Sequence, residues 1–236
     1  MKKLIIISCL LIELATTITA QEVFDAVKAN DAEKVKMLVE KDLNLISLKD
    51  PSGRTPFHWA AANGNIEIAG YLFIKGSNIN NHNASQSTPL HAAASVNNAK
   101  MAAWLLEHGA DINAKNATGW TPLFWGARVG GKELVLLLLD KGSDINAMDP
   151  SGFTPLSVAL IAGNKESMDI LLDEGAVIDI SGENGVGLLQ TAAEKGFVRF
   201  FNMALEKGGK DLLNDQVQNN ILMKKAIAGG SVEIVS

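Results

Sequence analysis

Apolar residues recur along this chain in short helical runs. Val23, Phe24 and Val27, then Val35, Leu38 and Val39, fall on one face of two helices separated by a break at Asn30-Asp31. Asp25, Lys28, Glu33, Lys34 and Lys36 make the opposite side charged, as the open end of a stacked array requires. Further runs follow at Ile66, Ile68 and Leu72; at Met101, Trp104 and Leu105; from Leu134 to Leu139; and at Met168, Ile170, Leu171 and Leu172. All of these are expected in the core. The run from Leu134 to Leu139 is far too short to span a bilayer.

Polar punctuation gives the runs a fixed interval. Thr-Pro occurs at Thr55-Pro56, Thr88-Pro89, Thr121-Pro122 and Thr154-Pro155, each 33 residues after the last. A threonine oxygen can accept from the free amides of a first helical turn, and proline suits the next position, so each pair starts a helix. His58 and His91 stand where a capping-box side chain would reach back, which predicts that they anchor the turn. Gly76, Gly109, Gly142, Gly175 and Gly208 close the second run of each repeat, and Gly64, Asn97, Gly130, Gly163 and Gly196 mark a shorter break inside it. Small residues at Ala60-Ala61, Ala93-Ala94, Gly126-Ala127 and Ala159 let neighbouring first helices approach closely. Each repeat reads helix, tight turn, helix, extended loop.

The 33-residue period, TPFHWAA from Thr55, TPLHAAA from Thr88, and the tails GSNIN, GADIN and GSDIN together resemble the ankyrin-repeat family. The resemblance covers residues 21–236. It implies an all-α ankyrin-repeat solenoid of helix-turn-helix units joined by extended hairpin-like loops. The repeats fall at about 21–49, 50–82, 83–115, 116–148, 149–181 and 182–215, with an incomplete one at 216–236. Phe124 and Ser157 stand in place of the family's histidine, and Gly187-Leu188 stands where Thr-Pro belongs. The last repeat is expected to begin near Asn219, after an insertion in the Asp211 to Gln218 connection, with Ala226 and Gly230 one residue late. Val232 to Ser236 reads as the start of an unfinished second helix, so the natural chain is expected to continue.

Residues 1–20 stand outside the repeats. Lys2 and Lys3 precede an apolar run from Leu4 to Ile12 and a segment ending Ile18-Thr19-Ala20, the plan of a secretory signal cleaved after Ala20. The lysine-led form points to a bacterial exported protein, periplasmic or secreted, without membrane insertion after cleavage. Cys9 is the only cysteine and lies inside the apolar run, so the mature chain is expected to carry no disulfide and no thiolate. Removal of this segment takes away Lys2, Lys3 and Glu13 and moves the formal charge from −5 to −6. The basic residues are scattered, which argues against a nucleic-acid partner.

Candidate chemistry is sparse. His58 and His91 are expected to be structural, His108 to favour a helix C-terminus, and His82 to point outward from a loop. No metal-ligand spacing, nucleophile elbow or phosphate loop occurs, and Gly182-Glu-Asn-Gly-Val-Gly187 is expected to be the loop between two repeats. No enzyme activity, catalytic residue, metal or cofactor is expected. Asn83-Ala-Ser85 and Asn116-Ala-Thr118 match a glycosylation pattern that has meaning only in a eukaryotic host.

The resemblance implies a concave strip made of loop tips and first helices that binds a protein partner. By register the strip comprises Lys49, Ser52 and Arg54; His82, Ser85 and Ser87; Lys115, Thr118 and Trp120; Met148, Ser151 and Phe153; with Arg128 at its border. Trp120 and Phe153 occupy one slot in adjacent repeats and are read as partner contacts; the competing reading is that the two rings pack along the strip with no partner. The expectation is a monomeric recognition module for an unidentified protein. Two alternatives stay open: an N-terminal accessory domain of a longer secreted enzyme whose catalytic part lies past residue 236, and an intracellular scaffold whose first twenty residues are not a signal.

Overall fold

The computed structural model describes residues 21–180, 182–209 and 216–230. The expected signal segment, Cys9, most of the Asp211 to Gln218 connection and the expected final helix at Val232 to Ser236 lie outside these residues. Among the described residues the secondary structure is entirely helical, and the chain forms two compact units that divide between Ala117 and Thr118.

Unit one begins with α1 (residues 21–28) and α2 (Ala32–Lys41), followed by a 3-10 turn at Leu43–Ser47. Asn30, at φ 57°, makes the break between the two helices. Two further pairs follow: α3 (Pro56–Asn63) with α4 (Ile66–Ile74), and α5 (Pro89–Ser95) with α6 (Ala99–Glu107). Helix α3 packs on α5 through Ala60, Ala61, Ala93 and Ala94, all fully buried, because side chains this small let the backbones close up. Phe57, Leu72, Leu90, Met101 and Leu105 fill the space between the pairs. The apolar face of the opening helices behaves as expected: Val23, Phe24, Val27, Val35, Leu38 and Val39 are buried.

Unit two repeats the plan with α7 (Pro122–Val129) and α8 (Lys132–Asp140), then α9 (Pro155–Ala162) and α10 (Lys165–Asp173). It continues with α11 (Gly182–Lys195), α12 (Val198–Ala204) and α13 (Gln216–Ala228). First helices again meet along a row, α7 on α9, α9 on α11 and α11 on α13. Phe200, Phe201, Leu189, Ala192 and Ala193 are buried there, and Ala226 of α13 is fully buried.

The Thr-Pro signals each start a helix, with Thr55, Thr88, Thr121 and Thr154 as N-caps and proline at the first helical position. Gly64, Asn97, Gly130, Gly163 and Gly196 all have positive φ, from 56° at Asn97 to 83° at Gly163.

Five expectations are corrected. Glycine-rich Gly182 to Gly187 is the beginning of α11, which starts well before the slot where Thr-Pro would have opened it. Past α12 the chain runs through a π-helical turn, Leu205–Gly209, so Gly208 sits inside helical backbone where the spacing predicts a helix end. Helix α13 starts three residues before Asn219. Ile66 and Leu136 are exposed, and Trp104, Leu137, Leu139 and Ile170 are only half-buried, because each lies on the outer flank of its helix while the i, i+3 and i+4 neighbours take the core. Lys36 is not part of the open charged side: its Nζ reaches Glu67 of the next repeat at 2.8 Å as well as Glu33 at 3.0 Å. Those carboxylates, Glu67 first, push the ammonium well above its ordinary range.

Candidate functional site

Each loop tip is a small frame built around one acid or amide side chain. Asp50 Oδ1 accepts from the amides of Ser52 (2.8 Å) and Arg54 (2.9 Å), while the Asp50 amide donates to the Arg54 carbonyl at 2.9 Å. Asn83 repeats this with Ser85 and Ser87, both at 2.9 Å, and Asp149 with Ser151 (2.9 Å) and Phe153 (3.0 Å). The tip then turns through a left-handed residue: Gly53, Gln86, Gly119 or Gly152. At Gly53 a Cβ would stand 2.5 Å from the Ala84 amide nitrogen, so the position needs glycine for space as well as for φ. Neighbouring tips are tied by backbone: Ala84 N–H donates to Ser52 O at 3.0 Å, and Ala117 N–H to Ser85 O at 2.9 Å. Asn184 Nδ2 holds Ser151 O at 2.8 Å. This row of Asp50, Asn83, Asn116 and Asp149 keeps the 33-residue interval and was legible beside the Thr-Pro signal.

Behind the tips sit the histidines. Thr55 N–H donates to His58 Nδ1 at 3.2 Å, and Thr55 Oγ1 lies 2.9 Å from the same nitrogen. Nδ1 therefore carries no proton, and Nε2–H donates to the Ser87 carbonyl of the next repeat at 3.1 Å. Burial, supported by the positive fields of Lys49 and Arg54, lowers the ring to about 4 against the bonds it donates. His58 is thus a neutral strut that ties one repeat's helix start to the following loop. His91 makes the same contacts to Thr88, at 3.2 and 2.9 Å. Ser157 replaces histidine with a hydroxyl that accepts from Thr154 N–H at 2.8 Å. Phe124 can do neither, and buried Thr121 Oγ1 has no hydrogen-bond partner among the described residues. Phe124 instead packs with Ala147, Val158, Trp120 and Phe153.

The predicted partner contacts divide between the two units. In unit one, the Arg54 guanidinium lies over the Trp59 ring, 4.8 Å from its centroid, and Lys28 Nζ stands 4.6 Å from that centroid. Trp59 Nε1 donates to Asp50 Oδ2 at 3.0 Å, which couples the indole to the loop frame. Burial raises the Asp50 carboxyl, but the bonds from the Arg54 amide, Trp59 and the Ser52 amide outweigh it and leave the group below its ordinary value. His82 is exposed, its Nδ1 3.0 Å from the Gln86 carbonyl, and Lys49 Nζ donates to the His82 carbonyl at 3.2 Å. Lys115 is exposed. His108 caps α6 and stacks on Trp104, with ring centroids 4.0 Å apart.

In unit two, Trp120 and Phe153 are half-buried. Trp120 stacks on Phe124 at 5.4 Å, meets Trp125 edge-on at 5.2 Å and donates through Nε1 to Asp149 Oδ2 at 3.2 Å. Both Trp120 and Phe153 lean on the core cluster, so they contribute to packing whatever else they touch. Arg128 is exposed above Trp120 and Trp125, 5.9 and 5.5 Å from their centroids. Met148 is 49% exposed and, with Phe153, Val177 and Leu188, lines a cleft beside the N-terminus of α9. Trp59, Trp125, Lys28 and Asp50 lie against these candidate residues, and the register alone did not bring them in. Their signal was the shared position of Trp59 and Trp125, 66 residues or two repeats apart.

Among the described residues, no three His, Cys, Asp or Glu side chains gather in a group that could hold a metal ion. In the same residues no helix is long and apolar enough to cross a membrane. Comparison with known families matches the description "Ankyrin repeats (3 copies)" to residues 23–116, 70–149 and 113–182. Among curated proteins, the chain is similar to the acyl-CoA-binding domain-containing protein 6 homolog of Dictyostelium discoideum, 43% identical over 61 residues, 26% of this chain. The match spans 21% of that relative's length.

Proposed function

The chain belongs to the ankyrin-repeat family, and from that premise we propose that it is an exported, monomeric, non-catalytic recognition module that holds a partner protein by its loop tips and first-helix side chains. The observation that carries this reading is the loop frame. Asp50, Asn83 and Asp149 fix the tip backbone by internal hydrogen bonds, so the varied side chains they carry are presented without a large ordering cost on binding. Arg54, His82 and Lys115 stand on these tips in unit one, and Trp120, Met148 and Phe153 in unit two, with Arg128 on the adjoining helix. Arginine and aromatic side chains are the ones that most often dominate interface energy.

Affinity capture from a cell-envelope fraction tests the reading when the chain is compared with a triple variant, Arg54→Glu, Arg128→Glu and Met148→Glu, that retains its helical circular dichroism. Loss of a specific captured protein is expected; an unchanged set of captured proteins would overturn the assignment to these side chains. Export is tested separately by the mass of the mature amino terminus. A chain beginning at Gln21 supports it, and one that keeps Met1 through Ala20 removes it.

A further inference from the structure

Several cations among the described residues are held by carboxylates. Lys36 pairs with Glu33 and Glu67, Lys165 with Asp169, Arg199 with Asp169 and Asp173, and Lys225 with Glu194. Around Trp59 in unit one two cations share a ring instead. Lys28 and Arg54 gather on one indole, 4.6 and 4.8 Å from its centroid, and neither makes an ion pair with a carboxylate among the described residues. Lys49 donates to a backbone carbonyl, that of His82. The nearest acid, Asp50, has both oxygens occupied: Oδ1 by the Ser52 and Arg54 amides, Oδ2 by Trp59 Nε1.

Lys28 and Arg54 on one half-exposed ring, with Lys49 in the adjoining loop, outnumber the Asp50 carboxylate bound to that ring and give this corner an excess of positive charge on a chain of net charge −5. An acidic partner could reach the Lys28 and Arg54 cations without breaking an existing ion pair. We propose that this corner of unit one, Lys28 and Arg54 on Trp59 with Lys49 in the adjoining loop, takes an acidic stretch of a partner protein. The partner's carboxylates pair with the cations, and its apolar carbons lie along the indole. The inference rests on the recognition reading above and names the chemistry of the partner at that surface. Unit two carries a related arrangement by itself, in Arg128 over Trp120 and Trp125.

The test uses the full chain and three labelled probes in fluorescence anisotropy: decaglutamate, decaglutamine and a thymidylate oligonucleotide. Decaglutamate should bind, weaken as salt is raised, and lose at least about tenfold in affinity when Lys28→Glu and Arg54→Glu are combined. Lys100→Glu, an exposed reversal on α6, should leave binding unchanged. The milder pair Lys28→Gln and Arg54→Gln should show an intermediate loss, which guards against a folding defect in the reversed variant. The proposal is overturned if decaglutamate fails to bind, if it binds the reversed variant equally well, or if the oligonucleotide binds more tightly than the peptide. A captured natural partner whose binding ignores Lys28 and Arg54 but depends on Arg128 and Met148 would remove the acidic-partner reading and leave the recognition reading standing.

Discussion

His58 makes the stability of unit one depend on acidity in a calculable way. In the fold it is neutral, buried, and held at about 4; in the unfolded chain it titrates near its ordinary value of about 6.5. Protonation therefore favours the unfolded chain. The stabilisation is complete above about pH 6.5, declines as the pH falls toward about 4, and is constant below that. Integrated to about pH 5, the loss from this one ring is about 2 kcal/mol. The perturbation is His58→Gln, which keeps an amide at the capping position and removes the titration. At neutral pH the variant should be about 1 kcal/mol less stable, since the Nε2–H bond to Ser87 is gone. Urea unfolding at pH 7 and pH 5, followed by circular dichroism, should then show the native chain losing about 2 kcal/mol more than the variant between the two conditions. Equal losses would refute the reasoning, as would an NMR titration in which the folded His58 ring takes up its proton near the ordinary value.

Other perturbations follow from the same packing. Ala93→Leu should destabilise the chain by about 1 to 3 kcal/mol in thermal or urea unfolding, because Ala93 is fully buried where α3 meets α5. Gly53→Ala should cost about 1 to 2 kcal/mol, since φ of 73° and the Ala84 amide both oppose a methyl group there; a neutral result would show that the loop frame yields. Trp120→Ala should destabilise the chain by about 2 kcal/mol through lost packing on Phe124 and Trp125 and so lower the thermal midpoint, whereas Met148→Ala should leave the midpoint within error. Equal midpoints for the two variants would return Trp120 to the role of a surface contact alone.

Much of the helical plan was legible in the sequence because its signals are local. A threonine before a proline, and a glycine or asparagine at positive φ, act within a few bonds of where they stand, and the repeat interval multiplies the evidence. What the sequence obscured was decided by neighbours in space. Leu136 and Ile66 look like core in an apolar run, and only the rotation of each helix against the next repeat turns them outward. Trp120 and Phe153 occupy a loop slot that usually faces solvent, yet Phe124, in place of a capping histidine, offers them an apolar shelf. Lys36 reads as solvated charge until Glu67 of the next repeat arrives beside it. The cation cluster on Trp59 joins Lys28 of α1 to Arg54 and Trp59 at the start of α3, segments some 26 residues apart in the chain.

The central claim, that recognition runs through the loop tips and first helices, is tested most directly by photocrosslinking. A photoreactive phenylalanine analogue placed in turn at Arg54, Arg128 and Met148 should trap one partner protein. The same group at Ile74, 82% exposed at the end of a second helix, should trap none. Crosslinks from Ile74 with silence at the other three positions would contradict the account.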